Sequence, residues 1–191
     1  MTGLNLLLPN MPSHPGVALL PRRIAQQART LRSVIAMIEP GEEIFAFAKR
    51  VAMGFDGYAA MLNFSALALQ RAALHVPESD PTRQQIMRYG PAAVFDEACE
   101  LIGAQMSVGV AAEGSVLHCH GYLRLRSGAL FGGHLAPGGC FMSPTARSVA
   151  VQCSVLEGVR LEPVFDSETG FSLLSPVSCP ELRTRPFGVS A

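Results

Sequence analysis

From Ala98 onward the chain is written as short apolar runs cut by glycine and serine. The runs are Glu100 to Gly109, Ser115 to Leu125, Ala129 to Phe131, Ser148 to Val155 and Val159 to Phe165. Apolar runs of this length between turn formers read as strands of an antiparallel sheet joined by tight turns. Upstream, one segment carries helical spacing. Ile44, Phe47, Ala48, Val51, Ala52 and Phe55 recur on one face, behind a Pro40-Gly41 break and the acidic pair Glu42 and Glu43. Those carboxylates suit the positive end of a helix. Gly54 and Gly57 close it near residue 55. A strand is expected over Leu31 to Ile38. Another is expected from Tyr58 to about Phe64, then a bend and a further strand ending at Val76 and Pro77. Residues 78–90 read as a polar loop or short helix. One helix followed by many strands predicts an α+β fold, a mostly antiparallel β-sheet with a few flanking helices.

At 191 residues the chain has the length of one domain. Pro9, Pro12, Pro15 and Pro21 exclude regular structure near the start. Residues 1–28 are therefore expected to be an extended arm, 29–178 the domain and 179–191 a tail. The N-terminal apolar run stops at Pro9 without a basic stretch, so it does not read as a secretory signal. No apolar run approaches the ~18–20 residues of a membrane helix. Five cysteines, an odd number without CxxC spacing, read as free thiols in a reducing compartment. A soluble, cytoplasmic protein is expected. Fifteen basic residues balance fifteen acidic ones, which leaves no cationic field for a nucleic-acid backbone.

Three of the five histidines fall close together, in Leu117-His118-Cys119-His120 and in Gly132-Gly133-His134-Leu135. Alternate residues of a strand share a face, so His118 and His120 project together, ~6.5–7 Å apart at Cα. Two imidazoles so placed can hold one divalent ion, with bonds of ~2.0–2.1 Å. His134 joins them only if the intervening turn has the right length. A two-residue turn at Ser127-Gly128 pairs Arg126 with Ala129 and Gly121 with His134, which points His134 to the opposite face. A three-residue loop restores the face, as does a bulge at Gly132-Gly133. The metal reading requires one of the two.

Zinc is the expected ion, with iron, nickel and copper open alternatives that ligand type alone does not separate. Three ligands leave a position open to a small molecule or anion. Cys140 offers a fourth ligand, although a small buried hydrophobe is the simpler reading. Cys119 must face the other side. Arg124, Arg126 and Arg147 could hold an anion near the site, but solvated surface positions explain them as well. His14 and His75, beside prolines, receive no role. Asp166 to Gly170 has the composition of a turn.

The segments Leu117-His118-Cys119-His120-Gly121, Gly132-Gly133-His134-Leu135 and Phe165 to Leu174 (Phe-Asp-Ser-Glu-Thr-Gly-Phe-Ser-Leu-Leu) together resemble the plants-and-prokaryotes-conserved (PPC) domain family. That resemblance implies a compact α+β fold, a homotrimer, and a metal site formed by His118, His120 and His134 near a subunit interface. Plant relatives add an AT-hook, a motif this sequence does not contain. Three functions follow for weighing. The first is a trimeric metal-binding module with a sensory, regulatory or binding role. The second is a metal-dependent enzyme using a metal-bound water on a small substrate, although no carboxylate flanks the histidines in sequence. The third is a DNA-binding regulator, which the balanced charge does not support. A cupin is disfavoured because Gly121 to Arg126 fills the place of that family's usual glutamate.

Overall fold

Antiparallel pairing dominates the computed structural model, which describes residues 16–17, 24–55, 58–82 and 84–179. The expected arm and tail lie almost wholly outside these residues. The elements run β1 (Arg29–Ile38), α1 (Ile44–Ala52), β2 (Ala59–His75), β3 (Pro77–Ser79), β4 (Met87–Tyr89) and β5 (Ala93–Phe95). There follow β6 (Cys99–Ala111), β7 (Gly114–Leu125), β8 (Leu130–Leu135), β9 (Phe141–Met142), β10 (Val149–Asp166) and β11 (Phe171–Cys179). The fold is α+β, as expected, but among the described residues the few helices expected reduce to one short helix and a short 3-10 turn at Met53–Phe55. Among the described residues no helix is long and apolar enough to cross a membrane.

Helix α1 begins where the acidic pair placed it. The Glu43 side chain caps the helix by accepting from the Ala46 amide at 2.7 Å. Glu42 instead pairs with Arg50 of the next turns at 2.9 Å. The buried face of α1 meets the sheet through Phe47, whose ring lies edge-on to Phe64 with centroids 5.9 Å apart.

The sheet order is β1-β10-β2-β6-β7-β8, and β8 also pairs with β2. Strands β2, β6, β7 and β8 therefore follow one another around a closed loop. Closure rests on two residue pairs between β2 and β8, Leu74↔Leu135 and His75↔His134. Its interior holds side chains such as Leu62, Leu74, Leu101, Met106, Leu123 and Leu135, all fully buried. Burying each such side chain contributes roughly 1.5–3 kcal/mol.

Three expectations need correction. The two strands expected after Tyr58 are one strand, β2. It keeps a single register against β6 from Ala60↔Val108 to Leu69↔Cys99. The expected bend survives inside it as Ala66, held at φ 53°. Residues 78–90 contain a hairpin of β3 and β4, not a plain loop or helix. Asp80 folds its tip by accepting from the amides of Thr82, Gln84 and Gln85 at 2.9–3.0 Å. Last, the runs over 148–155 and 159–165 are one strand, β10. It changes partner at Gly158 (φ 83°), pairing with β1 before that residue and with β11 from it onward.

Gly132 and Gly133 are needed for approach, not for a bulge. A Cβ on Gly133 would stand 2.6 Å from the His75 carbonyl oxygen and 3.0 Å from Leu74 Cδ1. One on Gly132 would stand 2.9 Å from the Tyr122 ring. Substituting Gly133→Ala is expected to destabilise the fold by about 1–3 kcal/mol, through overpacking where β8 meets β2. Chemical denaturation measures it, and an unchanged midpoint contradicts the account.

Candidate metal centre

The β7–β8 connection is a three-residue loop. The Leu125 amide donates to the Ala129 carbonyl and the Gly128 amide to the Leu125 carbonyl, both at 2.9 Å. Arg126, Ser127 and Gly128 lie between, with Gly128 at φ 85°. A glycine in the left-handed region at the end of a three-residue hairpin loop is a favoured closure. The ladder then runs without a shift from Arg124↔Leu130 to His120↔His134. Of the two routes that could bring His134 to the face of His118 and His120, the loop is the one used.

The ladder continues past β8. His134 is directly opposed to His75 on β2. Directly opposed residues share a face, so His75, His134 and His120 form a row across three strands, with His118 one step along β7. Ring centroids lie 4.8 Å apart for His118 and His120, 4.7 Å for His118 and His134, and 5.3 Å for His120 and His134. One nitrogen from each of these three side chains lies within 4.8 Å of the others. The two Nε2 atoms of His118 and His120 approach to 2.9 Å. Two nitrogens sharing a tetrahedral ion stand about 3.3–3.4 Å apart when the bonds are ~2.0–2.1 Å. The spacings found here bracket that value. The buried Nδ1 of His134 has no hydrogen-bond partner among the described residues. A donor set of three imidazoles with one buried nitrogen unengaged fits a borderline-soft divalent ion.

The electrostatics favour the neutral form of His118 and His134. Burial, and then the neighbouring His120, hold His118 below its ordinary value. His134 is pushed down to about 4, first by burial and then by His118, His120 and His75. A neutral imidazole offers the lone pair that ligation requires.

Two residues given no role by the sequence stand beside the cluster. His75 Nδ1 donates to the Gly90 carbonyl at 2.8 Å, which fixes its tautomer. Its ring lies 6.3 Å from that of His134. Tyr89 lies closer, at 5.0 Å and tilted by 33° over His134. The register of β2 against β8 was the signal for His75, and it is invisible until the strands close. Tyr89 arrives on the β3–β4 hairpin, which polar composition disguised as a loop.

Other candidates fall away from the cluster. Cys140 is fully buried and its thiol donates to the Ala73 carbonyl at 3.3 Å. Burial pushes that thiol up to about 11, the state of a packed hydrophobe. Cys119 faces the core, fully buried. Arg124 is engaged with Glu100 on β6. Arg126 sits in the hairpin loop and Arg147 in the segment before β10, both exposed. His14 lies outside the described residues. Asp166 to Gly170 is the β10–β11 turn, closed by the Gly170 amide on the Asp166 carbonyl at 2.8 Å.

The three imidazoles floor a cavity of about 530 Å³. Met87 and Tyr89 of β4 stand on one side, Phe171 and Leu173 of β11 on another. The two walls are tied together, since the Gln85 side-chain amide donates to the Gly170 carbonyl.

The family model of the Plants and Prokaryotes Conserved (PCC) domain matches residues 25–154. No curated protein matches the chain in sequence. Solved structures do match in fold. A metal-containing protein from Archaeoglobus fulgidus superposes with a TM-score of 0.64 at 18% identity, covering 80% of this chain and 99% of the other. A plant- and prokaryote-conserved protein from Pyrococcus horikoshii gives 0.60 at 16%, covering 82% and 100%. A protein from Ralstonia eutropha JMP134, provisionally labelled DNA-binding, gives 0.59 at 16%, covering 74% and 89%.

The depressed His134 value has a consequence for stability. Its unfolded-state value is the ordinary 6.5 and its folded value about 4. Between the two the unfolded chain binds more protons. The contribution is therefore full above 6.5 and is lost as pH falls toward 4. Melting temperatures of metal-free protein should fall over that window, and the fall should be shallower in His134→Asn. Equal slopes for the two proteins contradict the assignment.

Proposed function

The chain belongs to the Plants and Prokaryotes Conserved domain family, and from that premise we propose that it is a trimeric metal-binding module whose ion, zinc by preference, is held by His118, His120 and His134. The observation that carries the reading is the meeting of these three imidazoles at the floor of one cavity. The fold it shares with the metal-containing Archaeoglobus protein agrees with it. The five cysteines, all unpaired, suit the reducing cytoplasm in which we place the protein.

When bound, the ion supplies a Lewis-acidic position for an electron-rich ligand. The chain's own residues do the rest. His118 and His120 present their nitrogens from one strand, and His134 from the next. Gly133 lets β8 sit close enough to β2 for His75 to flank His134. Met87, Phe171 and Leu173 line the cavity above the floor. Of the described residues lining the cavity none is Asp or Glu. General acid–base hydrolysis has no carboxylate to use there, which favours a sensory or binding role over a hydrolytic enzyme. A nucleic-acid role gains nothing from the balanced charge.

Elemental analysis and native mass spectrometry test the reading together. The purified protein should carry close to one divalent ion per chain and have the mass of three chains. His118→Ala, His120→Ala and His134→Ala should each lower metal content to about a tenth or less, since a two-imidazole site binds far more weakly. His75→Ala should retain most of it. Metal content indifferent to the three substitutions sinks the site, and a monomeric mass sinks the assembly.

A further inference from the structure

The cavity above the imidazoles says something about what it holds. Its volume of about 530 Å³ falls within the range of roughly 300–1,000 Å³ typical of small-molecule sites. Its walls are side chains that water alone does not reward: Met87, Tyr89 and Leu173 stay 38%, 45% and 46% exposed around it. These residues come from the β3–β4 hairpin and from β11. Neither element is part of the closed strand set that carries the histidines.

Charge narrows the class further. A divalent ion on three neutral imidazoles keeps both of its positive charges. A charge in a partly desolvated site needs a compensating partner. The described lining offers none. It adds a third positive charge, on Arg88. Arg88 is paired with Glu78, which accepts from it at 2.9–3.0 Å. Tyr89 cannot serve as the anion, because burial raises its phenol and keeps it protonated. It and Ser172 bring neutral hydroxyl donors to the wall instead.

We propose that this cavity binds a small organic anion, a carboxylate with a compact apolar body, its head group toward His118, His120 and His134 and its body against Met87, Phe171 and Leu173. The proposal rests on the metal reading above. The carboxylate balances the ion and accepts from the hydroxyls, while the body covers apolar surface that otherwise faces water. A neutral analogue loses the first contribution, and an anion without a body loses the second.

Zinc-loaded protein, its metal content fixed by elemental analysis, is titrated with benzoate, benzyl alcohol and acetate by calorimetry and ligand-observed NMR. Benzoate should bind at least about tenfold more tightly than either of the others. Metal-free protein should bind it about tenfold more weakly than the zinc form. Leu173→Glu, a change at a partly exposed wall position, should weaken benzoate by a similar factor while zinc content stays the same. Zinc retained with benzoate unbound, or bound no better than the alcohol or acetate, overturns the ligand class and leaves the metal site standing. Failure of the wild-type protein to take up zinc overturns the metal reading, and the ligand proposal falls with it.

Discussion

One residue of loop length decides which way His134 points. With Arg126, Ser127 and Gly128 between the strands, His134 faces His120 and Leu135 turns inward, where it is fully buried. A loop shorter by one would exchange the two. It would bring Leu135 out at a cost of roughly 1.5–3 kcal/mol and send an imidazole into the apolar interior. Gly128 makes the longer loop cheap because its φ of 85° is open to glycine. The alternation of β8 and the chemistry of its loop therefore select the same register.

Closing the strand set adds a second constraint. β8 must pair with β7 on one edge and reach β2 on the other. Gly133 stands where β2 passes closest, at a distance that admits no side chain. The same approach sets His75 opposite His134. The double glycine and the fourth histidine thus belong to one event, the meeting of β2 and β8. That event is encoded by residues almost sixty positions apart, so neither half shows its purpose in the sequence. The glycines suggested a bulge on local grounds alone. Pro77, two residues past His75, marked only the end of an expected strand.

What the sequence did disclose was local. Helix α1, the strand carrying His118 and His120, and the dependence of His134 on turn length all follow from spacing within some twenty residues. What it withheld was long-range or composition-poor. Strand β2 looked divided because Asn63 and Ser65 interrupt its apolar run. Both belong to its outer face, Ser65 exposed and Asn63 accepting from Gln105 of β6 at 3.4 Å. The β3–β4 hairpin has three-residue strands and a tip organised by Asp80, too short for any periodic signal. Arg88 and Tyr89 were overlooked with it, although they complete the cavity.

The division between what is fixed and what is appended gives the site its character. The histidines stand on long strands whose pairing and burial hold them to one geometry, so their nitrogens need little rearrangement to act together. The walls stand on a short hairpin and on the opening residues of β11, joined by the contact of Gln85 with the Gly170 carbonyl. The hairpin, paired over only three residues a side, can change side chains, and move, without disturbing the strands beneath. In the site we propose, affinity for an ion would belong to the closed strand set, and discrimination among its companions to the two arms. The neutrality of the imidazoles links the two levels. Burial favours the neutral form of His118 and His134, so an ion held as proposed would keep its charge, and the occupant of the cavity would be left to answer it.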